Sequence, residues 1–123
     1  MKYMLLIDCK ETIWDTLDRS TFKDASVALA HDLHRQGKYI SGSPLKTVDT
    51  AASVRVREGK TLVTDGPFAE TYEQLGGFYL IDVADMEEAK AVAARIPPAV
   101  VGTIEIRPLE DLPGLPPSFQ SST

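Results

Sequence analysis

The chain has 123 residues, 43% hydrophobic and 25% charged, a size and composition that suit one folded domain and exclude a fibrous repeat or a disordered chain. Thirteen Lys and Arg against eighteen Asp and Glu leave a formal charge of −5 with no basic cluster, which speaks against a nucleic-acid partner. The single thiol, Cys9, permits no intramolecular disulfide, and no apolar run approaches the roughly 20 residues of a membrane span or resembles an export signal, so the cytoplasm is the expected setting with no membrane partner.

Tyr3 to Asp8 is short and apolar on both faces, which predicts a strand buried on both sides. From Ser20 onward, Phe22, Ala25, Leu29, Ala30 and Leu33 recur at helical spacing, with Asp18 or Ser20 to cap the start and Gly37 to stop it. Lys38 to Ser41 form a second short strand that Gly42-Ser43-Pro44 ends. Ser53 to Arg57 alternates, Glu58-Gly59 turns and Lys60 to Thr64 returns, a hairpin with Val54 and Val56 on one face and Arg55 and Arg57 on the other. After Gly76-Gly77, Phe78 to Val83 is a strongly apolar strand. Asp85 and Glu88 then open a helix whose stripe is Met86, Ala89, Val92, Ala93 and Ile96, and Pro97-Pro98 stops it. Thr103 to Arg107 is the last strand, with Ile104 and Ile106 inward and Glu105 and Arg107 on the opposite face.

Apart from the inserted hairpin, the order is βαββαβ, the ferredoxin-like α+β arrangement of an antiparallel sheet with two helices on one face. The expected division is a domain over residues 1–108 and a Pro- and Ser-rich tail or arm over 109–123. The strands are too apolar for their helix-free face to meet water, so a second copy is the expected cover, making the protein a homodimer.

The stretch DGPFAETYE at 65–73 concentrates three carboxylates around a Gly-Pro turn. With MKYMLLI at the start, QLGGFYLIDV after the motif and GTIEIRPL at 102–109, it resembles the YCII-related proteins of the DGPF type, whose usual motif reads DGPFAETKE. The resemblance implies a dimeric α/β barrel similar to muconolactone isomerases, bacterial relatives, and for a number of them a gene beside an extracytoplasmic-function sigma factor. Tyr72 stands where such relatives have Lys, so a role resting on that ammonium is absent. The His near an Asp in more distant relatives corresponds to about Ser26, out of register with His31 and His34.

Asp65 has two readings. Asp opens turns because its carboxylate accepts nearby backbone N–H groups, and Gly-Pro supplies the bend. A carboxylate at a strand end beside Glu70 and Glu73 can also carry protons. On that second reading Asp65 and Glu70 are the catalytic candidates, while Arg55, Gly66, Pro67, Phe68, Glu105 and Arg107 contact the ligand, with an Arg to hold an anionic group. His31 and His34 at i, i+3 lack a third ligand, and a surface role is the better reading. Trp14 and Tyr3 are either pocket walls or core. No phosphate loop, Cys-x-x-Cys set, serine elbow or zinc-protease motif occurs, so no cofactor is expected. The function expected is a cofactor-independent acid–base enzyme acting on a small organic molecule; the alternative is a dimeric ligand-binding or regulatory module without chemistry.

Overall fold

The computed structural model describes residues 1–69 and 71–116. Six strands and two helices follow in the order β1 (Lys2–Cys9), α1 (Arg19–Arg35), β2 (Tyr39–Pro44), β3 (Ala52–Arg57), β4 (Lys60–Asp65), β5 (Gln74–Asp82), α2 (Met86–Arg95) and β6 (Thr103–Pro108). Short 3-10 turns at Glu11–Asp15, Val48–Thr50 and Pro97–Val100 join them. The four-stranded antiparallel sheet runs β2-β5-β1-β6, and β3 and β4 form a separate hairpin. This is a ferredoxin-like α+β fold with an inserted hairpin.

Both helices start on the residues that the sequence marks. The Asp18 carboxylate accepts the Ser20 N–H at 3.0 Å, and Asp85 accepts that of Glu88 at 2.9 Å, while the Glu88 carboxylate takes the Ala84 N–H at 2.8 Å. Gly37, at φ +72, lets the chain leave α1, and Pro97 follows directly on the C-cap of α2. The hairpin turns through Glu58 and Gly59, both at positive φ, a backbone twist that matches the strands on either side.

The core lies between the helices and one sheet face. Tyr3, Leu5 and Ile7 of β1 and Tyr79, Ile81 and Val83 from β5 onward meet Leu29 and Leu33 of α1 and Ala89, Val92, Ala93 and Ile96 of α2 and its end. Ile104 and Ile106 pack against this cluster, as their alternation requires. The strand β1 differs from its two-sided expectation: its residues alternate between buried and half-buried, so one face is core and the other, Lys2, Met4, Leu6 and Asp8, stays partly open. Ala25, placed in the α1 stripe by spacing, is exposed, because the helix turns Phe22, Ser26, Leu29, Ala30 and Leu33 inward instead. β2 runs on through Gly42 to Pro44, and β5 begins at Gln74, ahead of the glycine pair. Backbone hydrogen bonding to neighbouring strands carries both past residues that, read locally, end them.

Polar contacts then fix the helices. The Tyr79 hydroxyl donates to the Ser26 carbonyl at 2.6 Å, tying β5 to α1. Asp32 of α1 pairs with Arg95 of α2, which holds its carboxyl below the usual range, and Lys38 pairs with Glu88 at 2.8 Å. In the expected tail, Leu109 donates its N–H to the Lys2 carbonyl at 3.0 Å, while residues 117–123 lie outside the described residues.

Candidate functional site

Arg19, Phe22, Lys23, Ser26, Val27 and Ala30 fall at i, i+3, i+4, i+7, i+8 and i+11 of α1, and together they line one wall of a cavity of about 290 Å³. The facing wall is the inner side of β5 and β2, and there the sheet carries glycine. Gly77 lies opposite Ile7 and Pro44, and Gly42 opposite Tyr79. A Cβ on Gly77 would meet the Ser43 carbonyl oxygen at 3.0 Å, and one on Gly42 the Phe78 carbonyl oxygen at 2.9 Å. The space under the first half of α1 thus exists because two neighbouring strands present bare backbone to the helix.

Aromatic rings close the sides. Trp14, delivered by the 3-10 turn after β1, packs edge-on against Phe22 at 5.2 Å, and Tyr39 meets Tyr79 at 6.3 Å. The hydroxyls of the site donate to backbone: Tyr79 to Ser26, Ser26 to the Phe22 carbonyl at 2.8 Å, Tyr39 to that of Gly42 at 3.5 Å. Burial pushes the Tyr79 phenol and the Cys9 thiol up, against the smaller lowering effects of the Ser26 bond and of Arg19, so both stay protonated at neutral pH. Arg19 donates from Nη2 to the Leu45 carbonyl at 2.8 Å, with its guanidinium carbon 5.8 Å from the Trp14 ring centre. Among the described residues neither Arg19 nor Lys23 belongs to an ion pair.

The residues singled out in the sequence lie elsewhere. Asp65 ends β4 opposite Ala52 and is exposed. Alternation puts it on the Val54–Val63 face of the hairpin, whereas Arg55 faces the other way beside Leu62, so these two are not brought together. Gly66, at φ +99, needs glycine; its N–H donates to the Ala51 carbonyl at 2.8 Å and its carbonyl accepts from Ser53 Oγ at 2.9 Å. Pro67 is half-buried, and Phe68 is exposed with the Arg55 guanidinium 5.8 Å from its ring centre. Glu70 lies outside the described residues. Lys10 Nζ stands 4.9 Å from the centre of the Tyr72 ring, so an ammonium reaches this loop from β1's end and not from position 72. Glu105 and Arg107 pair with each other along β6 at 3.4 Å. None of the described members of this group lines the cavity, and His31 and His34 are exposed on α1.

A second cluster forms on the helix-free face. Asp8 lies opposite Thr103, two residues along β6 from Glu105, and burial first, then Glu105 and Glu73, raise its carboxyl above the usual range. Asp8 closes the apolar run of β1, and its two-residue spacing from Leu6 and Met4 is the signal that places it on that face. For the cavity, the available signals were the glycines at 42, 76 and 77 and the Arg19–Lys23 pair one helical turn apart. Trp14, read as pocket wall or core, is a cavity wall. Among the described residues no group of three or more His, Cys, Asp or Glu side chains is arranged to hold a metal ion, and no helix is long and apolar enough to cross a membrane.

Residues 1–113 match the YCII-related domain. An uncharacterised protein of Rhizobium meliloti (strain 1021) is 45% identical over 82 residues, covering 60% of this chain and 66% of the relative. The chain thus spans just under two thirds of the length of that curated relative.

Proposed function

This chain belongs to the YCII-related domain family, and from that premise we propose that it is a binding protein for a small organic molecule, with the cavity between α1 and the sheet as its site. One observation carries the reading: aromatic and aliphatic walls enclose a space whose charged lining, among the described residues, is Arg19 and Lys23, and whose buried Cys9 and Tyr79 are held protonated. Such a lining binds by apolar contact and orients its ligand with a few polar groups. A proton shuttle needs a group that titrates near the working pH. The test is a thermal-shift screen of metabolites against the wild type and Ser26→Leu, which fills the cavity from α1. A compound that raises the melting temperature of the wild type alone supports the site; hits that stabilise both proteins equally refute it.

The second reading, a cofactor-independent acid–base enzyme, is favoured by the raised Asp8 carboxyl between Glu73 and Glu105. On this reading Asp8 holds the proton beside Glu105 and Arg107, with Asp65 and Glu70 as further acid–base candidates and Arg55, Gly66, Pro67 and Phe68 as candidate ligand contacts. Both readings include a homodimer. Its support is apolar surface on the hairpin, where Val54, Val56, Leu62 and Val63 are 48–65% exposed, together with the half-open Met4, Leu6 and Phe78 of the sheet. A sedimentation mass of one chain at micromolar concentration would overturn it. A cytoplasmic setting, a domain closing at Pro108 with a separate tail, and a link to an extracytoplasmic-function sigma factor belong to the same proposal; the first rests on the single thiol, the second on the end of β6, the third on family resemblance.

A further inference from the structure

We infer that the cavity takes a small apolar or aromatic monocarboxylate, with its hydrocarbon part under α1 and its carboxylate at Arg19 and Lys23. The inference rests on the binding-site reading above and narrows it to a ligand class.

Size sets the first limit. A cavity of about 290 Å³ lies at the small end of ligand pockets and suits a molecule of about a dozen non-hydrogen atoms. The lining sets the second. Trp14, Phe22, Tyr39 and Tyr79 offer ring faces and edges, while the hydroxyls of Ser26, Tyr39 and Tyr79 donate to backbone carbonyls and leave the interior with little to recognise a polyhydroxylated or strongly polar ligand.

Charge sets the third. Arg19 and Lys23 share the cavity stripe of α1, one turn apart, and both lack an ion-pair partner among the described residues. The Leu45 carbonyl and the Trp14 ring hold the Arg19 guanidinium in place and occupy only part of its five-donor fork. Trp14 and Arg19 are shared with an adjoining open groove, and among the described residues no acid there forms an ion pair with Arg19. Glu11, Asp15 and Asp49 line the adjoining open groove; Glu11 accepts the Val48 N–H at 3.0 Å and Asp49 bonds to Thr47. Asp18 caps α1 through Ser20 and Thr21. Arg19 and Cys9 line the same cavity, and the Arg19 charge lowers the thiol against the larger effect of burial and the opposing charges of Glu73 and Glu11. A preorganised guanidinium at the rim of an apolar slot is matched by one carboxylate on an apolar body.

The test titrates phenylpropionate and its neutral counterpart phenylpropanol by calorimetry into the wild type, Arg19→Gln, Lys23→Gln and Ser26→Leu, with circular dichroism confirming the fold of each. The expected result is that the wild type binds the acid at least about tenfold more tightly than the alcohol. Arg19→Gln should lose most of that preference, exposed Lys23→Gln part of it, and Ser26→Leu should lose both ligands. Raising salt from about 0.05 to about 0.5 M should weaken the acid and leave the alcohol unchanged, a readout in the wild type that needs no variant to fold. Equal binding of acid and alcohol, or a preference that survives both charge substitutions and high salt, overturns the carboxylate inference and leaves the cavity standing. Failure of both probes to bind, or binding that Ser26→Leu does not disturb, overturns the cavity reading itself and this inference with it.

Discussion

One added methyl tests whether the cavity owes its volume to bare strand backbone. In Gly77→Ala the new Cβ would stand 3.0 Å from the Ser43 carbonyl oxygen, 3.2 Å from Pro44 Cα and 3.6 Å from Ile7 Cδ1. The first two are backbone atoms of β2 and cannot rotate aside. Two effects oppose each other. Replacing glycine in a strand interior gains about 0.5–1 kcal/mol, largely by restricting the unfolded chain. Overpacking against fixed neighbours costs about 1–3 kcal/mol. The clash wins by about 1 kcal/mol, which for a chain of this length lowers the melting temperature by about 3–5 °C. Gly76→Ala is the matched control: its Cβ meets only the Ile7 carbonyl oxygen, at 3.8 Å, an ordinary contact. There the entropic gain stands alone, and the melting temperature should hold or rise by about 2 °C. The Gly77 methyl also points toward α1, so phenylpropionate binding should weaken in that variant. Thermal melts followed by circular dichroism, with a titration of the folded variants, decide it. A Gly77→Ala protein as stable as Gly76→Ala, with binding intact, refutes the account of how the cavity is made.

Three further outcomes follow from single contacts. Leu33→Ala, at a fully buried α1 position, should cost about 2–5 kcal/mol in urea unfolding, because the surrounding core cannot close over the lost side chain. The folded state binds the Asp8 proton more tightly than the unfolded chain does, so the associated stability is complete below the ordinary value of 3.8 and is lost as pH rises through the raised folded value. Asp8→Asn should therefore melt higher than the wild type near about pH 7 and flatten the stability–pH curve on the alkaline side of 3.8; identical curves would remove Asp8 from any proton-holding role. Asp85→Ala should cost about 1 kcal/mol by leaving the Glu88 N–H without its cap, measured by chemical denaturation.

The elements that could be located in advance are those whose signals are local. Asp18 and Asp85 cap helices whatever lies beyond them, Glu58-Gly59 turns a hairpin by its own backbone, and Pro97-Pro98 ends a helix by sterics alone. Boundaries failed where pairing with another strand overrode the local pattern, as at Gly42 to Pro44 in β2 and Gly76-Gly77 in β5. The DGPF stretch is conspicuous because three carboxylates fall within nine residues of the chain. The hairpin register nonetheless turns Asp65 and Arg55 to opposite faces.

By itself the sequence determined the order and type of the elements, the inward residues of β6 and α2 and the family, since periodicity, caps, turns and motif are properties of neighbouring residues. The tertiary structure alone decided where the cavity and the carboxylate cluster lie. Asp8, Glu73 and Glu105 come from three distant segments, and burial and the two glutamates raise the Asp8 carboxyl only once β1 is flanked by β5 and β6. Gly42 and Gly77 become a cavity floor only because α1 crosses above them with Arg19, Phe22, Lys23 and Ser26 turned down. A missing side chain carries no signal along the chain; it acquires meaning when another element is packed over the gap.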